Sequence, residues 1–430
     1  MAVMKKILLF VCCALIGAAA SAQDVETVAG IPVNYDESKV GDYRTGLPDP
    51  LVFNNGKPVA NARQWARRRA EIFRIFEDNQ FGRWQGRKPA LRYDVREDRG
   101  FDGTAVRRQV TLYFSPDNDG PRVDVLLYLP GDAAGPVPVL LNLSFSPNNY
   151  VIADPGVRPG RRWDPKTREM LVAEPMPGGG RAFAMDETVK RYLAEGFGFA
   201  TLCYTDITPD FNDDDELGLR GLYHEKGAPR ASDDWGSIGA WAMGVSCVVD
   251  YFEKDPGVDA KRIALTGCSR LGKTTLWSAA CEPRIKVVMP SCSGEGGAAM
   301  SRRNFGETVA HLAEESRFPY QFCPQYGYWG GHLTEMPMDA HMLLSLIAPR
   351  PLLLQTGTTD NWSDPKGEWI SLLEARKVWQ LLGKDVPASD EFPAAEQPVW
   401  HTLGYVMHEG GHGVLPQDWD YYLTFMKRYL

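Results

Sequence analysis

Short, almost unbroken apolar runs alternate with longer segments of helical period through the middle of the chain. Val137–Leu143, Gly198–Cys203, Arg262–Thr266, Ile285–Met289 and Pro351–Gln355 are the apolar runs. A strand covered on both faces has no polar side to show, so runs of this kind predict a parallel sheet buried under helices. Between them, Trp235–Glu253 and Lys273–Cys281 read as helices. The upstream pattern differs. Asn61–Phe76 predicts a helix, with Trp65, Ile72, Phe73 and Phe76 on one face and arginines on the other. Arg107–Phe114 and Arg122–Leu129 alternate as strands do, the second ending at Pro130-Gly131. Near the end of the chain come a strand at Leu403–Met407 and a helix over Trp419–Leu430. Hairpin strands followed by alternating strands and helices predict an α/β fold. Its central sheet is mostly parallel, with helices on both faces, a three-layer sandwich.

The remaining segments refine this outline. Gln23 to about Ala60 is rich in Gly, Pro and Asp and reads as an extended lead-in. Asp154–Asp186 is Pro-, Gly- and Arg-rich without a period, and is expected to form a long surface loop near the site. The chain has no internal repeat and no low-complexity linker, so residues 23–430 are expected to form a single catalytic domain. Residues 1–22 carry a basic head at Lys5-Lys6, an apolar stretch from Ile7 to Ala20 and a small-x-small site at Ala20-Ser21-Ala22. This is the layout of a cleaved secretory signal peptide. The apolar stretch is too short to span a bilayer comfortably. The protein is therefore expected to be exported, periplasmic or secreted, with no membrane anchor after cleavage.

Composition narrows the partners. Apolar residues at 44% and aromatics at 11% are globular values. A net charge of −8 supplies no concentrated basic face, which argues against nucleic acid. Six cysteines follow the leader: Cys203, Cys247, Cys268, Cys281, Cys292 and Cys323. Export permits disulfides, but a core this large does not need them. No two cysteines have metal-site spacing with each other or with histidine, so no metal and no cofactor are expected. A monomer is expected.

Arg262–Trp277 carries the most chemistry. An apolar strand ends in Gly267-Cys268-Ser269-Arg270-Leu271-Gly272, and a helical pattern follows. A nucleophile elbow needs this order. Its tight turn demands small neighbours and holds the serine hydroxyl out above the sheet. Backbone N–H groups there can take up the charge of a tetrahedral intermediate. The usual motif closes one residue earlier, where Leu271 stands. The same stretch also satisfies the phosphate-loop pattern from Gly267 to Thr274. Export disfavours that reading, since an exported protein meets little nucleotide.

His412 lies between glycines, after the strand Leu403–Met407 and before the last helix. Hydrolases with such an elbow carry serine, acid and histidine in that chain order. His408 is the competing histidine, read as structural, and His341 is read as bonding backbone inside the fold. Two acids compete to orient His412. Asp360 follows the strand Pro351–Gln355, and Glu295 follows Ile285–Met289. Either can accept the proton on the far ring nitrogen; Asp364 is a weaker third. The bland alternatives are a surface-turn acid for Asp360 and a helix N-terminal acid for Glu295.

Taken together, Gly267–Lys273, Ser293–Ala299, Arg302–Glu307, Pro337–His341, Ile347–Pro351 and the closing Gly411-His412 resemble the glucuronoyl esterases of carbohydrate esterase family 15. The resemblance runs from about Val123 to the C-terminus. It implies an α/β-hydrolase fold and cleavage of the ester between 4-O-methyl-glucuronic acid on xylan and lignin alcohols. The partner is then glucuronoxylan or a lignin–carbohydrate ester. It also implies roles: Ser269 as nucleophile, Arg270 as an oxyanion-stabilising cation and Lys273 as a contact to sugar hydroxyls. Glu295 and Asp360 both match acid positions, with Glu295 preferred. Trp362 and Glu335 resemble uronate-contacting positions. In fungal members the cysteine before the serine pairs with one directly after the histidine. Gly413 stands there in this chain, so that tether is expected to be absent.

A permanently charged Arg270 suits a negative tetrahedral state. Lys273 also reads as a solvated charge. Tyr320, Phe322, Tyr326, Tyr328 and Trp329 read equally as a sugar-stacking wall or a packed insertion. The competing functions are another carbohydrate esterase, such as one deacetylating xylan, and a carbohydrate-binding protein on a degenerate hydrolase fold. The intact serine, histidine and acid argue against the latter.

Overall fold

The computed structural model describes residues 26–84, 86–89, 91–174, 185–213 and 215–430. The predicted leader, residues 1–22, lies outside them. Apolar runs become a nine-stranded sheet. Its strands are β1 (Arg92–Gly100), β2 (Ala105–Tyr113), β3 (Arg122–Pro130), β4 (Val137–Ser144) and β5 (Gly198–Cys203), then β6 (Val258–Cys268), β7 (Ile285–Ser291), β8 (Leu352–Gly357) and β9 (Leu403–His408). Across the sheet the order is β9-β8-β7-β6-β4-β5-β3-β2-β1. Pairs within β4–β9 are parallel, whereas β1, β2 and β3 join antiparallel and β3 runs antiparallel to β5. This is the α/β-hydrolase architecture that the sequence predicts.

Single-residue alternation along the buried strands feeds two cores. Val139, Leu141, Ile263, Leu265, Leu352 and Leu354 face one side, while Leu140, Ala264 and Leu353 face the other. The first core is covered by α1 (Ala62–Phe76), α3 (Ser237–Phe252), α4 (Arg270–Cys281) and α5 (Pro365–Leu381), the second by α2 (Asp186–Ala194) and α6 (Pro416–Tyr429). Helix α3 is apolar nearly all round because it is enclosed on nearly every side. Helix α1 begins where Asn61 accepts a hydrogen bond from Gln64 N at 3.0 Å. Its Phe73 stacks on Trp277 of α4 at 5.0 Å, and Phe81 stacks on the same indole at 4.6 Å.

Three elements depart from the sequence reading. Strand β1 is so charged that it lacks an apolar signature. It is the exposed edge, where charge blocks pairing with another chain. Helix α5 starts with Pro365 and Gly367 and shows no simple apolar stripe, because it packs on several sides. The stretch expected as a loop over Asp154–Asp186 contains a hairpin, Arg161–Asp164 with Glu169–Val172; residues 175–184 lie outside the described residues. Among the described residues no helix is long and apolar enough to cross a membrane.

Candidate active site

The chain leaves β4 toward β5 on one side of the sheet and leaves β6 toward β7 on the other. A crevice opens at the carboxyl ends of strands where the order reverses in this way. A cavity of about 1000 Å³ lies there, lined by Asn142–Phe145 from the end of β4, Thr266–Ser269 from the end of β6, and His412 and Gly413. Met185, Val414 and Trp419 add apolar walls.

Ser269 sits between β6 and α4 with φ 60° and ψ −127°. A non-glycine residue in that region is strained and is held by its surroundings. Ser269 N donates to Ser291 O of the neighbouring β7 at 2.8 Å. Close approach explains both flanking glycines. A Cβ on Gly267 would stand 2.7 Å from Leu271 O, and one on Gly272 would stand 2.7 Å from Ser291 O. The motif therefore closes at Gly272, where the helix meets β7, and Leu271 turns into the core. This is strand–turn–helix geometry of an elbow.

His412 is 42% exposed on the loop after β9, above a carboxylate that is 2% exposed. Its Nδ1 donates to Asp360 Oδ2 at 2.7 Å, and Ser363 Oγ lies 3.2 Å from the same nitrogen. The hydrogen bond to Asp360 raises the His412 pKa above 6.5, against the effect of burial. Burial pushes Asp360 upward, but hydrogen bonds from His412, Ser363 and Cys292 hold it below its ordinary value. Ser269 and His412 face the same cavity. No hydrogen bond joins their side chains in this arrangement, as is common before substrate draws such a pair together.

The preference for Glu295 beside His412 is not met. Glu295 Oε1 accepts from Gly296 N at 3.0 Å, Ser301 Oγ at 2.6 Å and Tyr326 OH at 3.0 Å, all inside the protein. Burial raises its pKa to about 8. The residue after β7 that does reach the histidine is Cys292, three positions earlier. Cys292 has φ 41°, and its thiol lies by Asp360 and His412. His408 behaves as a structural residue: it is buried, with Nδ1 at 2.7 Å from Asp418 and Nε2 at 2.9 Å from Gly411 O. His341 Nε2 bonds Pro48 O at 2.8 Å. Asp364 caps α5 and pairs with Arg303, away from the imidazole.

All six cysteines among the described residues are free. Cys268 and Cys292 are nevertheless neighbours across the sheet, since Cys268 pairs with Ser291, the residue before Cys292. Interaction between the two thiols lowers the Cys268 pKa to about 7 despite burial, and raises that of Cys292. Spacing along the chain gives no hint of a metal-ligating group, but the fold brings Cys292, Asp360 and His412 together.

The other flank of Ser269 is polar and buried. Lys273 is 4% exposed, its Nζ 3.9 Å from Glu307 Oε2. Burial lowers its pKa, and Glu307 opposes this. Glu307 also pairs with Arg317 at 2.7 Å, and its N donates to Trp362 O at 2.9 Å. Arg317 lies over the Trp362 ring at 5.3 Å. Lys273 and Trp362 are thus brought together through Glu307, to which the sequence reading gave no role. Glu307 lies in the Arg302–Glu307 segment, and its motif was the available signal. Glu335 is exposed on a 3₁₀ turn, and among the described residues no hydrogen bond or ion pair joins it to this cluster. Arg270 is fixed by an ion pair with Asp210 and by the Phe318 ring at 4.6 Å. Tyr320 and Gln321 anchor that Asp210, with Tyr320 OH 3.1 Å and Gln321 Nε2 2.8 Å from Oδ1. Tyr320, Phe322, Tyr326 and Trp329 are buried, so the aromatic cluster is a packed insertion; Tyr328 alone of the five is exposed.

Comparison with known proteins bears on what this site does. A family model described as fungal glucuronyl esterase matches residues 219–383. A carbohydrate esterase, MZ0003, from an unknown prokaryotic organism is 37% identical over 402 residues, covering 92% of each chain. The solved glucuronoyl esterase of Solibacter usitatus is 39% identical with a TM-score of 0.85, covering 91% of this chain and 99% of that one. A 4-O-methyl-glucuronoyl methylesterase of Schizophyllum commune is 26% identical over 382 residues, covering 87% of this chain and 80% of its own length.

Proposed function

Because the chain belongs to the glucuronoyl esterases of carbohydrate esterase family 15, and is therefore a carboxylic ester hydrolase, we propose that it cleaves the ester joining 4-O-methyl-glucuronic acid on xylan to lignin alcohols. The 4-O-methyl uronate is argued from the fungal methylesterase relative. The observation that carries the mechanism is the Asp360–His412 bond on the rim of the cavity that Ser269 lines.

Asp360 holds the Nδ1 proton, which leaves Nε2 free to take a proton. His412 Nε2 removes the Ser269 hydroxyl proton as Oγ attacks the uronate carbonyl carbon. The oxyanion is met by the backbone N–H at the start of α4 and by the Arg270 guanidinium, which Asp210 positions. His412 returns its proton to the alcohol as the acyl bond forms on Ser269. Water, activated by the same nitrogen, then releases the uronate. Lys273 and Glu307 bond sugar hydroxyls, and Trp362 provides an apolar face beside them. Glu307 takes the part that sequence alone gave to Glu335. The catalytic unit spans about residues 23–430 once the exported chain loses its leader; N-terminal sequencing of the mature protein is expected to begin at Gln23.

Parallel assays on a methyl ester of 4-O-methyl-glucuronate and on acetylated xylan test the substrate. Turnover of the uronate ester is expected to dominate, and preference for the acetyl group would defeat the assignment. An aryl-alkyl ester of the same uronate is expected to react at least as well as the methyl ester; failure to react removes the lignin side.

A further inference from the structure

At the Asp360–His412 contact the fold adds a third side chain, Cys292, to which no catalytic step gives a part. One ligand atom each from Cys292, Asp360 and His412 lie within 4.8 Å of one another. Cys268 is the cross-strand partner of Ser291, the residue before Cys292, and both thiols are free. Sheet register builds this arrangement, turning Cys292 in beside Cys268 where β6 and β7 end. Cys268 and His412 also line the large cavity, which gives an ion a route from solvent. Two thiols, an imidazole and a carboxylate are the donors that a four-coordinate zinc site uses. Soft thiolates select zinc-like ions over calcium or magnesium.

We propose that Cys292, Asp360 and His412, with Cys268 as fourth donor, bind a thiophilic divalent cation of the Zn²⁺ or Cd²⁺ class, and that the bound ion reversibly shuts off the esterase. Binding releases the Cys292 thiol proton, and that of Cys268, to the buffer, and no oxidation state changes. His412 coordinates through Nδ1, the nitrogen on the Asp360 side, and its proton moves to Nε2. The ring then presents an N–H to Ser269 and has no lone pair for the hydroxyl proton. Asp360 exchanges its hydrogen bond for a metal–oxygen bond. The inhibition rests on the reading of His412 as base; the binding does not.

The test titrates reduced, full-length mature protein with CdCl₂. It follows the thiolate-to-cadmium charge-transfer band in the ultraviolet and the esterase rate in the same samples. The band is expected to saturate at one cadmium per chain as activity falls, and EDTA is expected to reverse both. Cys292→Ala is expected to weaken binding by more than the roughly tenfold that losing even an outer-shell partner costs. Its own residual rate then withstands cadmium that silences the parent. Cys292→Ser serves the same purpose if the alanine variant fails to fold, and Cys268→Ala is expected to weaken the band without abolishing it. Absence of a one-to-one band, or equal affinity in the Cys292 variant, overturns the site. A one-to-one band at full activity upholds the site and contradicts His412 as the base.

Discussion

Asp360 and Glu295 follow neighbouring strands of the sheet, β8 and β7, yet their surroundings give them opposite character. Asp360 accepts a hydrogen bond from His412 Nδ1 at 2.7 Å, and its pKa is held down. Glu295 lies among Gly296, Ser301 and Tyr326 with its pKa pushed to about 8 by burial, and Glu368, bonded to Gly294 N at 2.7 Å, is pushed to about 8 in the same way. The first carboxylate is ionised because a titratable ring can share its charge. Burial biases the other two toward the neutral form, and both accept hydrogen bonds from the loop after β7. A strand-end acid is therefore recognised as an orienting acid by its partner, not by its place in the chain.

The comparison can be broken most severely at the nucleophile. Ser269→Ala is expected to lower kcat by at least about 10⁴-fold with substrate binding retained, since triad members act as a unit. Single-turnover kinetics beside equilibrium binding checks this; retained turnover would move the chemistry elsewhere. Next comes the buried cation. Lys273→Ala is expected to reduce kcat/KM by about ten- to a hundredfold through lost charged hydrogen bonds to substrate, mostly as a raised KM. A pH profile of kcat/KM sharpens the contrast without removing any group. The base must be neutral to work and Asp360 stabilises its protonated form, so activity is expected to rise with pH through a midpoint above 6.5. Asp360→Asn moves that midpoint toward acid, and Glu295→Gln leaves it in place.

The smallest effect is on stability. Glu295 and Glu368 bind protons more tightly folded than unfolded, so their contribution is full below pH 4.5. It is lost as pH rises from about 4.5 through about 8. A Glu295→Gln, Glu368→Gln double variant keeps a neutral acceptor at both positions. Its Tm, followed by circular dichroism, is expected to fall less than that of the parent across this window.

Local features made much of this legible. The elbow is contiguous, with Gly267 and Gly272 forced by approach of the α4 backbone and β7, and the buried strands announce themselves by their unbroken apolar runs. His412 was readable because two glycines and the last strand bracket it. The acid was not, because two acids follow adjacent strands and only the turn decides which side chain faces the ring. At the end of β7 the backbone at Cys292, φ 41°, aims a thiol there and sends Glu295 inward. Glu307 escaped for a related reason: its link to Lys273 and Trp362 is long-range, and a motif does not tell which member points at the site. The meeting of Cys268 and Cys292 depends on the register of β6 against β7, which composition and spacing do not contain.

The measurement that decides between the two regions compares Asp360→Asn with Glu295→Gln, side by side, on a 4-O-methyl-glucuronate ester near neutral pH. Asp360→Asn is expected to lose about 10³- to 10⁴-fold in kcat, as loss of a histidine-orienting carboxylate does elsewhere. Glu295→Gln is expected to stay within about threefold of the parent, since the amide oxygen keeps an acceptor for Gly296, Ser301 and Tyr326. A collapse of kcat in Glu295→Gln with Asp360→Asn near the parent would contradict the account.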